Sequence, residues 1–309
     1  MRTQYLLRRL LSVIPVALVV GTVVFILVHL IPGDPASIML GPNASPAEVE
    51  QMARSLGLDQ PLIVQYGKWL SHVARGDLGT SIFLQRPVTH VILSRLEPTI
   101  VLATLATLVS VLIGVPLGIL AAANRAVMAV AVAGISVPYF WLGLMLVFLF
   151  AVKLSVLPAV GYESLVAGNL DAWRYLVLPV VALGVSQAAF IARLSRTTMV
   201  QVLNEDYVRT ARAKGVSNPR VLFLHAFPNT LLMIITSIGL SFAALLGGAV
   251  ITETIFNIPG LGRLILEGIR RRDYPLIQGV ILVVAGFNVL VNLAVDLVYG
   301  IVDPRVSYN

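Results

Sequence analysis

Cysteine is absent from this chain of 309 residues, and charged side chains are scarce. Without a thiol the chain forms no disulfide, thiolate metal site or c-type haem attachment. Only 12% of the residues are charged and 58% are hydrophobic, whereas about 25% charged residues is usual in a soluble domain. The mean hydropathy is +0.90. These proportions exclude an ordinary soluble domain and predict a polytopic membrane protein.

Motifs of common hydrolases and of nucleotide binding are also missing. The sequence contains no HExxH, no GxSxG and no Walker A pattern, and its four histidines lie in different segments. Gly260-Leu-Gly262 resembles only half of a phosphate loop. Ser186, in Gly-Val-Ser-Gln, faintly resembles an intramembrane protease nucleophile, but no later span supplies a histidine base. We therefore predict a non-catalytic chain that binds no metal or other cofactor, so any ATP and Mg would belong to another chain.

Long apolar segments are the main feature that is present. Six segments of about 20 residues could each cross a membrane as a helix. They lie at about Leu10–Ile31, Pro98–Ala123, Ala126–Ala151, Tyr175–Ala192, Thr230–Ile251 and Pro275–Ile301. The first is expected to be a retained anchor, because its 22 residues exceed the usual length of a signal peptide core. The fold class predicted is all-α, with six transmembrane helices.

The distribution of Lys and Arg predicts the orientation. Basic residues flank the first span and cluster after the fourth, in the loop 193–229, so these segments and both termini are assigned to the cytoplasm. The basic residues are scattered among loops rather than gathered on one face, which argues against nucleic acid as a partner. The predicted organisation is residues 1–31 as tail and first span, 32–97 as an external loop, and 98–309 as a core of five spans.

The external loop 32–97 is too long to be without structure. Ser45-Pro-Ala-Glu48 is a capping box that predicts a helix ending at Gly57, and an apolar stripe predicts a second helix between Pro61 and Gly76. Two further predicted helices are shorter. Val88, Val91 and Ile92 predict one on the membrane surface before Pro98 starts the next span, and Leu264–Arg271 is expected to form another in the last external loop.

The loop 193–229 contains the most informative segment, NEDYVRTARAKGVSNPRVLFLHAFPN at Asn204–Asn229. Asn204 is predicted to cap a helix of about ten residues that Gly215 ends with a left-handed turn, and Pro219 to start a second helix. Two capped helices with a glycine corner are typical of a segment that docks in a groove of another protein. The alternative is that its basic residues only reflect the positive-inside bias.

Polar residues inside the predicted spans are candidates for a translocation pathway, because they are costly in hydrocarbon. These candidates are Gln187, Asn288 and Asn292. Asn288, Asn292 and Asp296 recur every four residues and share one helix face. Asp296 is expected to be the only buried acid, lying near the cytoplasmic end and pairing with Arg193 or Arg196.

These residues resemble those of ABC importer permeases. Gly215 and Pro228 match the glycine and the proline of that family's coupling loop, although Arg209 stands where many members have glutamate. In lacking this glutamate the chain resembles the peptide importer branch of the family, whose coupling loops are similar to DYVRTARAKG at Asp206–Gly215. Further resemblances are VHLIPGDP at Val28–Pro35, LGLDQPL at Leu56–Leu62, GDLGTS at Gly76–Ser81, FNIPGLGRL at Phe256–Leu264, RDYPLIQ at Arg272–Gln278 and DPR at Asp303–Arg305.

The chain is thereby identified as a B-type inner-membrane permease of the dipeptide, oligopeptide, nickel and glutathione group. The resemblance implies a type I importer fold and a heterodimer with a second permease, two cytoplasmic ATP-binding subunits and an external substrate-binding protein. It also implies that one set of residues couples the chain to the ATPases. They are Asp206, Tyr207, Arg209, Thr210, Ala211, Arg212, Ala213, Lys214, Gly215 and Pro228.

The expected substrates are short peptides, because the predicted spans contain no strong charge trap. Glutathione, itself a small peptide, and a nickel chelate are the alternatives within the family. An ion-coupled secondary transporter is a rival of another class, and an assembly scaffold is a third. A secondary transporter would be expected to have buried acids near the midplane, which this sequence does not predict.

Overall fold

The computed structural model describes residues 2–30, 35–41, 43–55, 57–124, 127, 137–169 and 171–302. Regular structure in these residues is helical, apart from one isolated bridge between Thr80 and Pro87. In chain order the helices are α1 (Arg2–His29), α2 (Pro35–Leu40), α3 (Pro46–Ser55), α4 (Leu62–Ala74), α5 (Val88–Ala123), α6 (Tyr139–Leu146), α7 (Trp173–Leu203), α8 (Asp206–Ala213), α9 (Asn218–Arg220), α10 (Phe227–Gly248), α11 (Val250–Ile255), α12 (Leu261–Arg271) and α13 (Tyr274–Val302). The π-helical segment Val147–Lys153 continues α6, and another, Val221–Ala226, leads from α9 into α10.

Four helical stretches within these ranges are long and apolar enough to cross a membrane. They are Val88–Ala122, Trp173–Leu203, Asn218–Gly247 and Tyr274–Val298. Two shorter apolar helices, Ile14–His29 and Tyr139–Lys153, lie at the first and third predicted spans. Much of the third predicted span, at 126 and 128–136, lies outside the described residues. The prediction of an all-α membrane protein is therefore confirmed.

The chain divides into two compact units. The described residues of Met1–Glu97 and Pro259–Val289 form the first, and those of Pro98–Ile258 and Leu290–Ser307 form the second. The core of the first unit joins three helices. Its buried residues are Val88, Val91 and Ile92 from α5, Leu261 and Leu264 from α12, and Leu276 and Val280 from α13.

This core corrects the prediction of a separate surface helix before Pro98. Val88, Val91 and Ile92 are buried, and their helix runs on through Pro98 without a break. Proline removes one backbone hydrogen bond from a helix, but helices of membrane proteins tolerate this loss because their neighbours hold the backbone in place. The helix of this span therefore begins at Val88 and not at Pro98, while the start of the membrane crossing at Pro98 stays a prediction.

In the second unit α5 approaches α7 through small residues. A Cβ atom added to Gly114 would lie 2.6 Å from the carbonyl oxygen of Ala188, and one added to Gly118 would lie 2.5 Å from the Cβ of Ser195. Both distances are shorter than real Cβ contacts. The pair forms a Gly-x-x-x-Gly pattern, which lets two helix backbones approach closely where lipid provides no hydrophobic driving force.

The predicted external helices are confirmed at α3 and α4. The backbone N–H of Ser45 donates to Glu48 Oε2 at 2.8 Å, and the backbone N–H of Glu48 donates to Ser45 Oγ at 3.3 Å. These reciprocal bonds form the predicted capping box. The bonds from Ser45 lower the pKa of the Glu48 carboxyl. Gly57 follows α3 with a φ of +69°.

Asp273 ties the external loop to the start of α13. Its carboxylate accepts the Ser81 hydroxyl at 2.5 Å and the Phe83 N–H at 3.1 Å through Oδ2, and the Leu276 N–H at 3.2 Å through Oδ1. The last bond is an N-cap of α13. The Arg271 guanidinium lies 3.3 Å from the centre of the Phe83 ring, a cation–π contact. The segments GDLGTS and RDYPLIQ thus meet through one buried carboxylate.

Candidate functional site: the α8 loop

Residues 204–229 are called the α8 loop. The helix α8 within it begins one residue later than the sequence predicts. Asn204 does not cap α8, because it ends α7, with its side chain donating to the Val200 carbonyl at 2.9 Å. Glu205 is the N-cap residue, with an extended backbone and no side-chain capping bond. The cap prediction is wrong because α7 runs to Leu203, beyond the predicted end of the fourth span at Ala192, and Asn204 caps its C-terminal end. The helix is accordingly eight residues long instead of about ten.

The end of α8 agrees with the prediction. Gly215 has a φ of +80°, in the left-handed region that glycine enters without steric cost. The N–H of Gly215 donates to the Arg212 carbonyl at 2.9 Å, and the N–H of Val216 donates to the Ala211 carbonyl at 3.2 Å. This pair of bonds is a Schellman motif. Nothing lies within 4 Å of a Cβ added to Gly215, so the backbone conformation, and not the available space, requires glycine here.

One face of α8 is anchored in the second unit. Val208 is fully buried in a cluster that draws on several helices. The cluster contains Ile119 from α5, Met199 and Leu203 from α7, and Val221 and Ala226 from the π-helical segment. Val216, which follows the glycine corner, packs against the same cluster. A displacement of α8 would therefore act directly on α5, α7 and the start of α10.

Tyr207, which precedes Val208 in α8, ties the helix to the π-helical segment by hydrogen bonds. The Tyr207 hydroxyl donates to the His225 carbonyl at 3.3 Å, and the Asn229 amide donates to Tyr207 Oη and to the His225 carbonyl, both at 2.9 Å. Burial raises the pKa of the Tyr207 phenol; the bond from Asn229 opposes this shift and the charge of Glu205 adds to it. The phenol therefore stays protonated near neutral pH and keeps its donor.

Pro228 explains why the segment before α10 departs from α-helical geometry. Proline has no N–H, so the carbonyl four residues earlier cannot make its usual helical bond. This carbonyl belongs to Leu224, within the π-helical segment Val221–Ala226. The next carbonyl, that of His225, accepts hydrogen bonds from the Tyr207 and Asn229 side chains. Local π-helical turns of this kind are frequent at functional sites.

The remaining face of the α8 loop is exposed and mostly basic. The exposed residues are Asp206, Tyr207, Arg209, Thr210, Arg212, Ala213, Lys214 and Gly215, whereas Ala211 is half-buried. Asp206 and Arg209 form an ion pair at 3.6 Å, which contributes little at such exposure. Phe223 and Leu224 are 54% and 67% exposed nearby in the chain. A small exposed helix with one buried anchoring residue and cationic side chains fits a groove on another protein.

The predicted pathway residues differ in their exposure. Gln187 and Asn288 are half-buried and Asn292 is exposed. The Asn288 amide donates to the Val284 carbonyl of its own helix at 2.9 Å. Asp296 is half-buried and has a partner. Arg196, one of its two expected partners, donates to the Ala121 carbonyl at 3.1 Å. The pathway role of these residues stays a prediction.

Two buried acids were missed, so the expectation that Asp296 is the only one is wrong. Glu253 and Asp273 are fully buried, while Asp296 is not. Glu253 accepts the Thr99 hydroxyl at 2.8 Å. Its charge within the apolar run from Ala249 to Phe256 was a signal in the sequence, because an ionisable residue in such a setting needs a partner. Within the described ranges no group of three or more His, Cys, Asp or Glu residues could hold a metal ion.

Comparison with known families gives two matches that together cover almost the whole chain. Residues 114–308 match the family described as binding-protein-dependent transport system inner membrane component. Residues 2–103 match the N-terminal family of the same membrane components. The first match alone covers more than half of the chain.

Curated relatives match over nearly their full length. A Sinorhizobium fredii protein named as a peptide ABC transporter permease is 46% identical, over 98% of this chain and 99% of the relative. A Brucella melitensis protein named as a peptide transport system permease is 43% identical over 100% of both chains. A glutathione transport system permease of Salmonella paratyphi A is also 43% identical, over 99% of both.

Among solved structures, a chain of the MetNI methionine ABC transporter in an inward-facing conformation is similar. It has a TM-score of 0.57 at 17% identity, and the match covers 69% of this chain and 96% of that one. At this identity the likeness is informative about the fold alone.

Proposed function

We propose that this chain, which belongs to the family of binding-protein-dependent transport system inner membrane components, forms half of the translocation pathway for short peptides. Its family makes it a non-catalytic permease subunit of a peptide or glutathione ABC importer. The other half would come from a second permease. Two ATP-binding subunits with ATP and Mg, and an external substrate-binding protein, would complete the importer. The observation that carries this proposal is the rigid, exposed α8 in a chain without a Walker A motif.

In this proposal α8 is the element that the ATP-binding subunits grip. Its exposed residues from Asp206 to Gly215 would lie in a groove of the ATPase, with the cationic side chains at the rim. Closure of the two ATPases on ATP would move α8 as a unit, because the Schellman motif fixes its end. Val208 and Tyr207 would pass this movement to α5, α7 and α10. Two sites then share one two-state rearrangement, which is the basis of alternating access.

The proposed orientation places the α8 loop and both termini in the cytoplasm, with six transmembrane helices and the loop 32–97 outside. The support is the excess of Lys and Arg in the α8 loop. A secondary transporter is less well supported, since relatives of nearly equal length are named as ABC permeases. The full chain would lie in the inner membrane as a multi-pass subunit.

Short peptides are the proposed substrate, and glutathione is the second candidate. Two of the relatives above are named for peptides and one for glutathione, at 46%, 43% and 43% identity. A nickel chelate receives no comparable support. The chain itself offers no group of metal ligands in its described part, although a chelate would not need one.

Uptake of labelled dipeptide and labelled glutathione should be compared in cells with and without this chain, with the partner subunits present. We expect deletion to abolish dipeptide uptake and the plasmid-borne chain to restore it. The chain with Gly286→Val is a matched control, because a side chain at Gly286 meets nothing within 4 Å. Loss of glutathione uptake alone would move the assignment to glutathione. Unchanged uptake of both would remove the substrate assignment.

A further inference from the structure

A cavity of about 760 Å³ lies in the first unit, between the end of α1, α4 and the start of α13. This volume is within the usual range for small-molecule sites, about 300–1,000 Å³. The proposed coupling mechanism does not use the cavity. Its walls come from the helices α1, α2, α4 and α13 and from the loop that precedes α5.

Most of the cavity wall is apolar or aromatic. Phe25, Trp69 and Tyr274 line it together with aliphatic side chains such as Val28 and Leu58. The aromatic rings pack on one another, with the centroids of Phe25 and Trp69 5.6 Å apart. Trp and Tyr are enriched at the boundary between membrane and water. These rings lie beside the end of the apolar helix Ile14–His29, where we expect the boundary between membrane and water.

The polar part of the wall contains amides, hydroxyls, two imidazoles and one ammonium group. That ammonium belongs to Lys68, and among the residues that the structure describes no Asp or Glu lines the cavity. His72 also lines it, and its Nδ1 is 3.0 Å from Oδ2 of Asp77, which does not line the cavity. Lys68 makes no ion pair or hydrogen bond to any part of the chain that the structure describes. A flexible ammonium above an apolar wall favours an anion attached to an apolar body.

The cavity also opens beside surface that suits lipid. Leu62 lines it and is 58% exposed, and Ile63, next in α4, is 75% exposed. Exposed branched aliphatic residues at the start of α4 would be more stable in contact with acyl chains than in water. An occupant with an acyl chain would therefore meet apolar surface at the mouth of the cavity.

From this juxtaposition of Lys68, an apolar aromatic wall and the exposed aliphatic side chains of α4, we infer that the cavity binds one anionic phospholipid. The phosphate would lie near the Lys68 ammonium, and part of an acyl chain would lie against Phe25, Val28 and Trp69. The amide of Gln65, whose nitrogen already donates to the Leu58 and Gln60 carbonyls, would help to keep this wall rigid. The site is an addition to the importer role and does not depend on which peptide is carried.

The test uses the purified complex that contains this chain, stripped of lipid and then incubated with phosphatidylglycerol or phosphatidylcholine. Native mass spectrometry would count the phospholipids bound. We expect one tightly held phosphatidylglycerol per copy of the chain and much weaker binding of phosphatidylcholine. Lys68→Gln should weaken phosphatidylglycerol binding about tenfold, as expected for loss of one charge-assisted contact. Lys68→Arg should retain it.

Two further variants make the result specific to the cavity. Met39→Trp should fill part of it and weaken binding without any change of charge. Arg75→Gln removes an exposed positive charge just after α4 that does not line the cavity, and should bind as the unaltered chain does. Equal retention by Lys68→Gln, equal binding of the two lipids, or a peptide as the co-purifying molecule would each overturn the proposal. Because transport is not measured, failure here is distinct from failure of the peptide assignment.

Discussion

Replacing Gly215 with valine is expected to reduce peptide transport at least tenfold while the assembled complex keeps most of its ATPase activity. The φ of +80° at this position is strongly unfavourable for a β-branched residue, at a cost of about 1–3 kcal/mol. The variant would lose or distort the bonds from Gly215 and Val216 that end α8. Since the space around the added Cβ is open, no packing is lost and assembly should persist. Transport and ATP hydrolysis are to be measured on the same proteoliposomes.

A graded series separates backbone strain from side-chain size. Asn tolerates the left-handed conformation better than other non-glycine residues, so Gly215→Asn should transport nearly normally, and Gly215→Ala should lie between Asn and Val. Gly286→Val adds the same side chain at another open glycine without a positive φ. It should behave as the unaltered chain does. Normal uptake by Gly215→Val would remove the mechanical role assigned to this corner.

The largest effect on folding is expected from Gly118→Val. The added side chain would meet Ser195 Cβ at 2.5 Å and the Ala192 carbonyl oxygen at 2.6 Å. The latter is backbone and cannot turn aside, so α5 and α7 must separate. Overpacking of this kind costs about 1–3 kcal/mol or more. We expect a severalfold loss of folded chain in the membrane and a clear fall in the Tm of the purified complex.

Three further variants test this crossing. Gly118→Ala should lower the yield and the Tm less than Gly118→Val does. Adding Ser195→Gly to Gly118→Val should restore part of the yield and Tm, because Ser195→Gly removes the nearest side-chain atom but not the Ala192 carbonyl. Gly286→Val serves again as the open-space control. If Gly118→Val gave a normal yield and Tm, the close approach of α5 and α7 would be wrong.

The sequence was most informative where the determinants are local. The capping box at Ser45 and Glu48 and the glycine corner at Gly215 depend on bonds between residues a few positions apart. Their residue types therefore specify the backbone almost alone. The family resemblance carried by Asp206–Gly215 also depends on a short segment of sequence, and the family comparison confirms the family.

Predictions failed where the outcome depends on distant contacts. The sequence predicts that the fourth span ends at Ala192, whereas helix α7 continues to Leu203. A helix need not stop where the membrane does, so hydropathy could not predict the end of this helix. Pro98 was expected to start a helix, but burial of Val88 and Ile92 keeps the preceding turns helical. The partner of Glu253, Thr99, lies 154 residues away, so periodicity could not reveal the pair.

The Gly-x-x-x-Gly pattern at Gly114 and Gly118 lies between these two cases. The pattern is visible in the sequence and has a known physical meaning in membranes. Its partner residues, Ala188, Ala192 and Ser195, are recognisable only once α7 is placed beside α5. A search for small residues four positions apart in each span would have found both sides of this contact.

The most direct test of the central claim is a photocrosslink from α8. Benzoylphenylalanine should be encoded at Ala213, which is exposed on α8, and as a control at Val166, which is 80% exposed in the same unit but distant in the chain. After ultraviolet irradiation of the assembled importer, mass spectrometry would identify the partner peptide. We predict an adduct with the ATP-binding subunit from position 213 and none from 166. No adduct from 213, or an adduct only with the permease partner or the binding protein, would contradict the account.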